Sequence, residues 1–217
     1  MSEARDAIFG AIRHALGPAR AAERIRAEAD ALLAEPERVR PRLPDGDLAS
    51  LFEAAVTRLP PGASCERIAD FAALPAAVAA HLHARGREPA IKLQPALALL
   101  TLPFAEAGVA LRDEVDDRTA LSLSDCAIAE TASLVIRSGA DMAVLDAFLP
   151  LHHLVAVRVS DIVPHLEEAV ARFDLARSRN LVVVTGPSGT TDIEGNLVIG
   201  VHGPATLHIF LIEDGAA

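Results

Sequence analysis

The sequence contains no tryptophan or tyrosine, and aromatic residues make up only 3% of the chain. It has a single lysine, Lys92, and its 20 basic residues are outnumbered by 30 acidic ones, for a formal net charge of −10. Proteins that bind nucleic acids need a basic face for the phosphates and often use aromatic side chains on which bases stack. The composition therefore argues against a nucleic-acid partner, and it restricts Schiff-base chemistry to Lys92.

Cysteine is equally scarce, because Cys65 and Cys126 are the only two and they form no C-x-x-C motif. By itself the chain cannot hold an iron–sulfur cluster or a four-cysteine zinc site, so we expect no cofactor in this chain and a packing role for both thiols. No apolar run reaches about 18 residues, and the first residues lack the pattern of a signal peptide. We expect a cytoplasmic protein with no membrane segment.

The first part of the sequence predicts a helical arm over residues 1–60. Ile8, Ile12 and Leu16 recur at helical spacing in a stretch rich in Ala, Arg and Glu, which favours two helices. A proline-containing linker follows, and the pattern returns to helical from Asp47 to Leu59. Such an arm can pack either against the rest of the chain or against a partner subunit.

Residues 61–217 alternate short strand patterns with helical patterns, which is typical of an α/β domain. The predicted strands cover residues 63–68, 89–93, 126–130, 133–137, 153–159, 181–185, 197–201 and 206–212. The predicted helices cover residues 72–85, the region near 105, residues 141–148 and residues 161–173.

One loop has the composition of a binding site. Glycine and proline interrupt the chain directly after an apolar strand pattern, and hydroxyl side chains follow. Successive N–H groups of such a loop can bind an anion, and a helix beginning near Asp192 would add the positive partial charge of its first turn. A capped strand-to-helix turn has a similar composition, but it does not require the acids and the histidine that follow. We predict substrate contacts from Gly186, Ser188, Thr190, Thr191 and Glu194.

Glu130, Asp192 and His202 are the candidate catalytic residues. Glu130 ends an apolar strand pattern, where ligands of open α/β sheets bind, and a carboxylate there can act as a base, a nucleophile or a metal ligand. The same carboxylate can equally hold a neighbouring loop by a hydrogen bond. His202 lies between small residues that let a ligand approach the backbone. A metal site and a Ser188–His202–Asp192 triad are weaker alternatives, because neither spacing matches a defined motif.

Thr131 and His153 complete the predicted substrate contacts. His152 and His153 are consecutive in a predicted strand, so they point to opposite faces and only one can enter a given pocket. His81 is discounted as a ligand because it does not share a helix face with His83. The remaining histidines, His14, His165 and His208, have no polar neighbours in sequence and are assigned to the surface or the core.

Three segments resemble the LUD domain of lactate utilization proteins. They are residues 125–134, the His152-His153 pair and the run from Gly186 to Pro204, which contains Gly-Pro-Ser-x-Thr-x-Asp-Ile-Glu and Gly-Val-His-Gly-Pro. The resemblance covers about the last two-thirds of the chain. It implies a three-layer α/β/α fold with a mixed sheet, similar to the NagB/RpiA/CoA transferase-like superfamily, preceded by a helical arm.

The resemblance also implies a function, namely a non-cluster subunit in iron–sulfur-dependent oxidation of L-lactate to pyruvate. The expected partners are iron–sulfur subunits and a small carboxylate or other anionic ligand. Family members often carry a basic residue where Gly189 stands and a glycine where Ala132 stands, so a charge-assisted contact to the anion is missing here. Two alternatives stay open: a stand-alone CoA transferase-like or sugar-phosphate enzyme that uses Glu130, and a non-catalytic scaffold subunit.

Overall fold

A computed structural model of the chain describes residues 2–18, 20–38, 40–114, 118–174, 179–191 and 193–213. The chain divides into two compact units, Met1–Arg42 and Leu43–Ala217. The first unit contains the two predicted helices, α1 (Ser2–Leu16) and α2 (Ala22–Ala34). No described side chain of either helix is buried, so this unit has no apolar core of its own among the described residues.

Helix α3 (Leu48–Val56) belongs to the second unit, although the sequence placed it in the arm. The Asp47 carboxylate begins this helix by accepting a hydrogen bond from the Ser50 N–H at 2.9 Å. The helix then buries Phe52 and Val56 in a cluster shared with strands of both sheets of this unit. The boundary between the units therefore falls before α3 and not at residue 60.

The strands and the remaining helices of the second unit follow one another as α/β alternation predicts. In chain order the strands are β1 (Ala63–Ile68), β2 (Ala90–Leu93), β3 (Ala110–Arg112), β4 (Thr119–Leu123), β5 (Cys126–Ile128), β6 (Ser133–Arg137), β7 (His152–Arg158), β8 (Ile162–Val163), β9 (Leu181–Val184), β10 (Gly189–Thr191), β11 (Leu197–Ile199) and β12 (Thr206–Ile212). The helices after α3 are α4 (Leu74–Ala84), α5 (Leu97–Leu100), α6 (Leu145–Phe148) and α7 (Leu166–Ala171).

Six of the strands form a main sheet that is parallel throughout, in the order β1-β12-β7-β4-β2-β3. Parallel sheets are covered on both faces, so their strands are nearly continuous apolar runs. The central strands β7 and β12 meet this requirement, since almost every residue in them is buried. The edge at which these parallel strands begin is called the amino edge below.

The main sheet lies between two further layers. Helices α4 and α5 cover one face, where Val78 and Leu99 join a cluster with Leu154 and Phe210. The other face packs against α3 and a second sheet of order β8-β5-β6-β9, in which β6 runs antiparallel to both neighbours. Helix α7 covers the outer side of this second sheet. The predicted α/β/α architecture with a mixed sheet is confirmed, and the mixed pairing lies in the second sheet.

Several local predictions differ from the structure. The helix predicted near residue 105 is a turn, and the nearest helix, α5, ends before Pro103. The helix predicted over residues 161–173 begins only at Leu166, because Ile162–Val163 pairs with β5 as a strand. Of the predicted helix over residues 141–148 only Leu145–Phe148 is helical, and β3, β4 and β10 were not predicted.

Across the described part of the chain, no helix combines the length and the apolar character needed to cross a lipid bilayer.

Candidate functional site at the amino edge

The predicted binding loop forms a β-hairpin. Strand β10 pairs antiparallel with β11, with Thr190 opposite Val198. Asp192 lies outside the described residues, and the chain that follows it is a turn containing Gly195, which has a φ of +86°. The prediction of a helix beginning near Asp192 is therefore wrong, and the described residues of the hairpin include no helix terminus that would contribute positive partial charge. The sequence signal was misread because three residues, Gly189–Thr191, are too few to show the alternation of a strand.

Ser188 fixes the base of this hairpin. Its N–H donates to the Pro204 carbonyl at 2.8 Å, and its own carbonyl accepts from the Gly200 N–H at 2.8 Å. A Cβ on Gly203 would lie 3.0 Å from the Ser188 Cβ, so the two segments pack closely and a side chain at residue 203 would require Ser188 to shift. The two predicted motifs, around Ser188 and around His202, thus meet in the folded chain.

The hairpin base lies on the amino edge of the main sheet. The N–H groups of Ala205 and Thr206 donate to the Leu151 carbonyl at 2.8 and 3.0 Å, directly before β7. The Leu207 N–H donates to the Gly62 carbonyl at 2.9 Å, directly before β1. The predicted loop and the starts of three neighbouring strands therefore form one surface.

Glu130 and Thr131 lie in the turn that joins β5 to β6. Thr131 Oγ1 is 2.6 Å from Ser133 Oγ, which is 2.6 Å from Thr185 Oγ1, so a chain of hydroxyl groups links this turn to the start of the loop. The Glu130 side chain is half-buried, and its N–H donates to the Pro164 carbonyl at 3.1 Å. Ala132, where family members often carry glycine, has a φ of +55°, the left-handed conformation that glycine adopts without strain.

The remaining predicted residues are more dispersed. His202 is exposed in the bend before Gly203, and Thr191 and Glu194 are exposed on the hairpin. Gly186 has a φ of +79° and packs against Leu59. Among the described residues no hydrogen bond joins Glu130 to His202, so their joint action stays a prediction.

His152 and His153 do point to opposite faces of β7, as their adjacency predicts. His153 Nε2 lies 3.0 Å from Ser122 Oγ on the face that meets the second sheet. The His153 ring is completely buried, and burial lowers its pKa to about 4. His153 therefore contacts Ser122 within the core and does not reach the surface of the free protein.

The sequence missed a cluster of three buried histidines beside the amino edge. His81 Nε2 is 3.1 Å from His152 Nε2, and the His81 ring stacks on that of His208 at 3.8 Å between centroids. His152 Nδ1 also contacts the Thr206 hydroxyl, and His208 Nδ1 is 2.8 Å from Ser64 Oγ. The polar neighbours come from α4, β1, β7 and β12. Thr206 and His208 alternate along one strand face, which is the only local sequence signal for this cluster.

Burial keeps this cluster uncharged at neutral pH. It is the main cause that lowers the pKa of His81 to about 4, of His152 to about 2 and of His208 to about 3. Repulsion from Arg85 lowers all three further, and Arg87 adds to the effect on His81 and His152. The imidazoles therefore form a neutral hydrogen-bonded network.

The two cysteines pack in or against the core, and the described residues include no group suited to bind a metal ion. Cys65 and Cys126 are unpaired and pack with the apolar clusters on the two sides of the second sheet, and burial raises the pKa of each to about 11. Thiols with such pKa values are poor nucleophiles at neutral pH. Within the described ranges, no group of three or more His, Cys, Asp or Glu side chains has an arrangement that would hold a metal ion.

The hairpin offers a test of how tightly it is held. Gly195 and Gly200 both have positive φ, but only at Gly200 would a Cβ clash, at 2.6 Å from the Ala205 Cβ. Both alanine substitutions strain the backbone, and Gly200→Ala should destabilise the hairpin by about 1–3 kcal/mol more. We expect the Ser188 amide to exchange with deuterium roughly tenfold to a hundredfold faster in Gly200→Ala than in Gly195→Ala. Equal exchange rates in the two variants would contradict the described packing.

Comparisons with known proteins place this architecture in a family. The sequence model of the LUD domain matches residues 64–212. The chain is 32% identical over 100 residues to Lactate utilization protein C of Geobacillus sp. (strain WCH70) and of Bacillus subtilis (strain 168), and each match covers 43% of this chain and 42% of the relative. It is 33% identical over 97 residues to Lactate utilization protein C of Bacillus pumilus (strain SAFR-032), covering 42% of this chain and 40% of the relative. The chain thus spans less than half the length of these curated relatives.

Among solved structures, the fold is similar to that of a duf162 family protein from Deinococcus radiodurans, with a TM-score of 0.56 and 24% sequence identity. This similarity covers 78% of the present chain and 99% of the other and concerns the fold alone. The LUD match runs from the second residue of β1 to the last residue of β12, so it includes both sheets and the Ser188 hairpin. The protein therefore belongs to the LUD domain family.

Proposed function

We propose that the protein acts in lactate utilization as the non-cluster subunit of an iron–sulfur-dependent system that oxidises L-lactate to pyruvate. The observation that carries the proposal is the similarity to Lactate utilization protein C in a chain whose LUD domain is matched over residues 64–212. A cytoplasmic location is part of the proposal, with which the unpaired thiols of Cys65 and Cys126 agree.

The proposed chemistry divides between subunits. Oxidation of L-lactate to pyruvate releases two electrons and two protons. The electrons would pass to iron–sulfur clusters of partner subunits, while this chain would bind the carboxylate and accept the hydroxyl proton, and the proton from Cα would pass to solvent water. In this scheme N–H and hydroxyl groups of the hairpin bind the anion, and His202 accepts the proton of the lactate hydroxyl.

The hydrogen bonds around the binding loop support the proposed role of this chain. The hydroxyl chain from Thr131 through Ser133 to Thr185 holds the Glu130 turn beside the start of the binding loop. The hydrogen bonds of Ser188 hold the His202 turn against the same loop. These two connections to one loop support the proposal that the Glu130 and His202 turns act together.

Growth on L-lactate tests the catalytic part of the proposal. In a host strain that lacks the gene, the wild-type chain should restore growth, and the double variant Glu130→Gln, His202→Asn should fail to do so. Glu106→Gln is a matched control, because Glu106 is exposed in the turn before β3, the strand at the opposite edge of the main sheet from β1. Normal growth of the strain without the gene would overturn the proposal.

Purification from the native host tests the partners. The tagged chain should copurify with subunits that contain iron and acid-labile sulfide, and their visible absorbance should bleach when L-lactate is added anaerobically. If L-lactate causes no bleaching while a chemical reductant does, the clusters are present but do not accept electrons from lactate, and the proposal fails.

A scaffold role is the second candidate, favoured by exposed apolar side chains. In the helical unit the exposed fractions of Ile8 and Leu16 are 61% and 79%, and on the hairpin Ile193 is fully exposed. A contiguous face of exposed apolar side chains, such as Ile8, Ile12 and Leu16 on α1, often marks a contact with another protein. Under this alternative, the Glu130→Gln, His202→Asn double variant supports growth as well as the wild type does.

A further inference from the structure

A second feature of the amino edge is a cleft of about 580 Å³ that contains none of the residues predicted from the sequence. It lies between the end of α4 and the starts of β2, β4 and β7. Its size is within the usual range for small-molecule sites, about 300–1,000 Å³. The lining residues are Gly86, Arg87, Glu88, Ala90, Arg118, Thr119 and Leu151.

The described lining of this cleft has more positive than negative groups, although the whole chain carries a net charge of −10. It contains two arginines, Arg87 and Arg118, and one carboxylate, that of Glu88. Glu88 Oε2 is bound by Arg118 at 2.6 Å and by Arg112, which is outside the lining, at 2.7 Å. No ion pair between Glu88 and Arg87 is described.

Arg87 is the second arginine that lines the cleft. Its side chain is half-buried and forms no ion pair with any residue that the structure describes. Burial and the neighbouring Arg85 both lower the Arg87 pKa, because each disfavours the charged guanidinium. A guanidinium in this position gains most from an anion that enters the cleft.

We propose that this cleft is a binding site for a small oxyanion, either a phosphate or a carboxylate, with Arg87 as its main ligand. The guanidinium offers planar paired N–H donors that match the oxygens of either group. The site is distinct from the Ser188 loop and does not depend on the proposed role in lactate oxidation.

The histidine cluster lies behind this cleft. His152 pairs with Thr119 of the lining, and its N–H donates to the Arg118 carbonyl at 2.9 Å. The charge of Arg87 is among the causes that lower the His152 pKa, so the two groups are close enough to interact. A bound anion will oppose this effect and change the environment of the His152 ring, which provides a signal that is specific to the site.

Titration of the full-length chain with inorganic phosphate and, separately, with L-lactate tests the site at constant ionic strength. We expect saturable binding of at least one of them, detected by calorimetry and by shifts of the buried histidine NMR signals. Tighter binding of inorganic phosphate would identify a ligand that carries a phosphate group, and tighter binding of L-lactate would identify a carboxylate ligand. Absence of saturable binding by both would overturn the proposal.

Three variants locate the binding. Arg87→Gln should weaken affinity roughly tenfold or more, because a charge-assisted hydrogen bond is lost. Glu88→Gln should tighten binding, a gain that a misfolded protein cannot produce. Arg58→Gln is the control and should bind as the wild type does, since Arg58 follows α3, on the opposite face of the main sheet.

Arg87 also stands near the carboxyl end of α4, where a positive charge stabilises the helix dipole. If Arg87→Gln lowers the melting temperature but leaves anion affinity unchanged, Arg87 acts only on the helix, and the proposal is overturned.

Discussion

Phe52→Ala should lower the free energy of unfolding of the second unit by about 3–5 kcal/mol, measured by urea denaturation. The Phe52 side chain is completely buried in the cluster that joins α3 to both sheets. Its loss removes apolar burial and leaves a cavity that the surrounding strands cannot close. The free energy of unfolding of a typical domain is only about 5–15 kcal/mol, so this one substitution should remove a large fraction of it.

Phe9→Ala is the matched control, since it makes the same substitution on α1, where the Phe9 side chain is 43% exposed. Substitution of an exposed residue usually changes stability by no more than about 0.5 kcal/mol. Equal effects of the two substitutions would mean that α3 is not part of the core, and the sequence-based boundary at residue 60 would then be the better one.

The class of fold could be predicted because the pattern that defines it is local. Strands such as His152–Arg158 and Thr206–Ile212 are apolar runs bounded by polar or turn residues, and they alternate with helical segments. Alternation of this type allows few arrangements other than a parallel sheet covered by helices. The α/β class therefore followed from the local pattern, whereas the three-layer α/β/α arrangement was implied by the resemblance to the LUD domain.

The missed elements are those that depend on distant partners. Strand β4, with the sequence Thr-Ala-Leu-Ser-Leu, has no marked strand propensity and is defined by its position between β7 and β2. Ile162–Val163 resembles the start of a helix and becomes a strand because β5 pairs with it. In both cases the contacts that decide the structure join residues remote in sequence, and local propensity is overridden.

In the candidate site, too, the features set by local sequence could be predicted and those set by distant contacts could not. The glycine and proline positions of the hairpin were visible in the sequence, and the structure joins the Ser188 and His202 motifs at its base. The histidine cluster was not visible, because His81 acquires its polar neighbour only when α4 packs on the sheet, and His208 acquires Ser64 only when β1 pairs with β12. Arg87 gave no sequence signal either, since the feature that distinguishes it is the occupation of Glu88 by other arginines.

Mild acid should destabilise the protein strongly, because four buried histidines take up protons mainly after unfolding. The pKa values of His81, His152, His153 and His208 are lowered from 6.5 to between about 2 and about 4, mainly by burial. Their contribution to stability is therefore complete above about pH 6.5 and is lost as the pH falls towards these folded-state values. When the pH falls from 7 to 5, each of these histidines should lower the free energy of unfolding by about 2 kcal/mol.

Urea denaturation at a series of pH values measures this loss, and His208→Gln isolates one contribution. Whatever its stability at pH 7, the variant should lose about 2 kcal/mol less than the wild type on going to pH 5, because one titrating group is gone. His14→Gln, on exposed α1, should leave the loss unchanged. The exposed Glu66, the half-buried Asp125 and the buried Asp146 have pKa values raised mainly by desolvation, so they act in the opposite direction, but they are present in both variants and do not affect the comparison. If His208→Gln and His14→Gln show the same pH dependence, the His208 ring is not held neutral by burial, and the described packing of the three rings is incorrect.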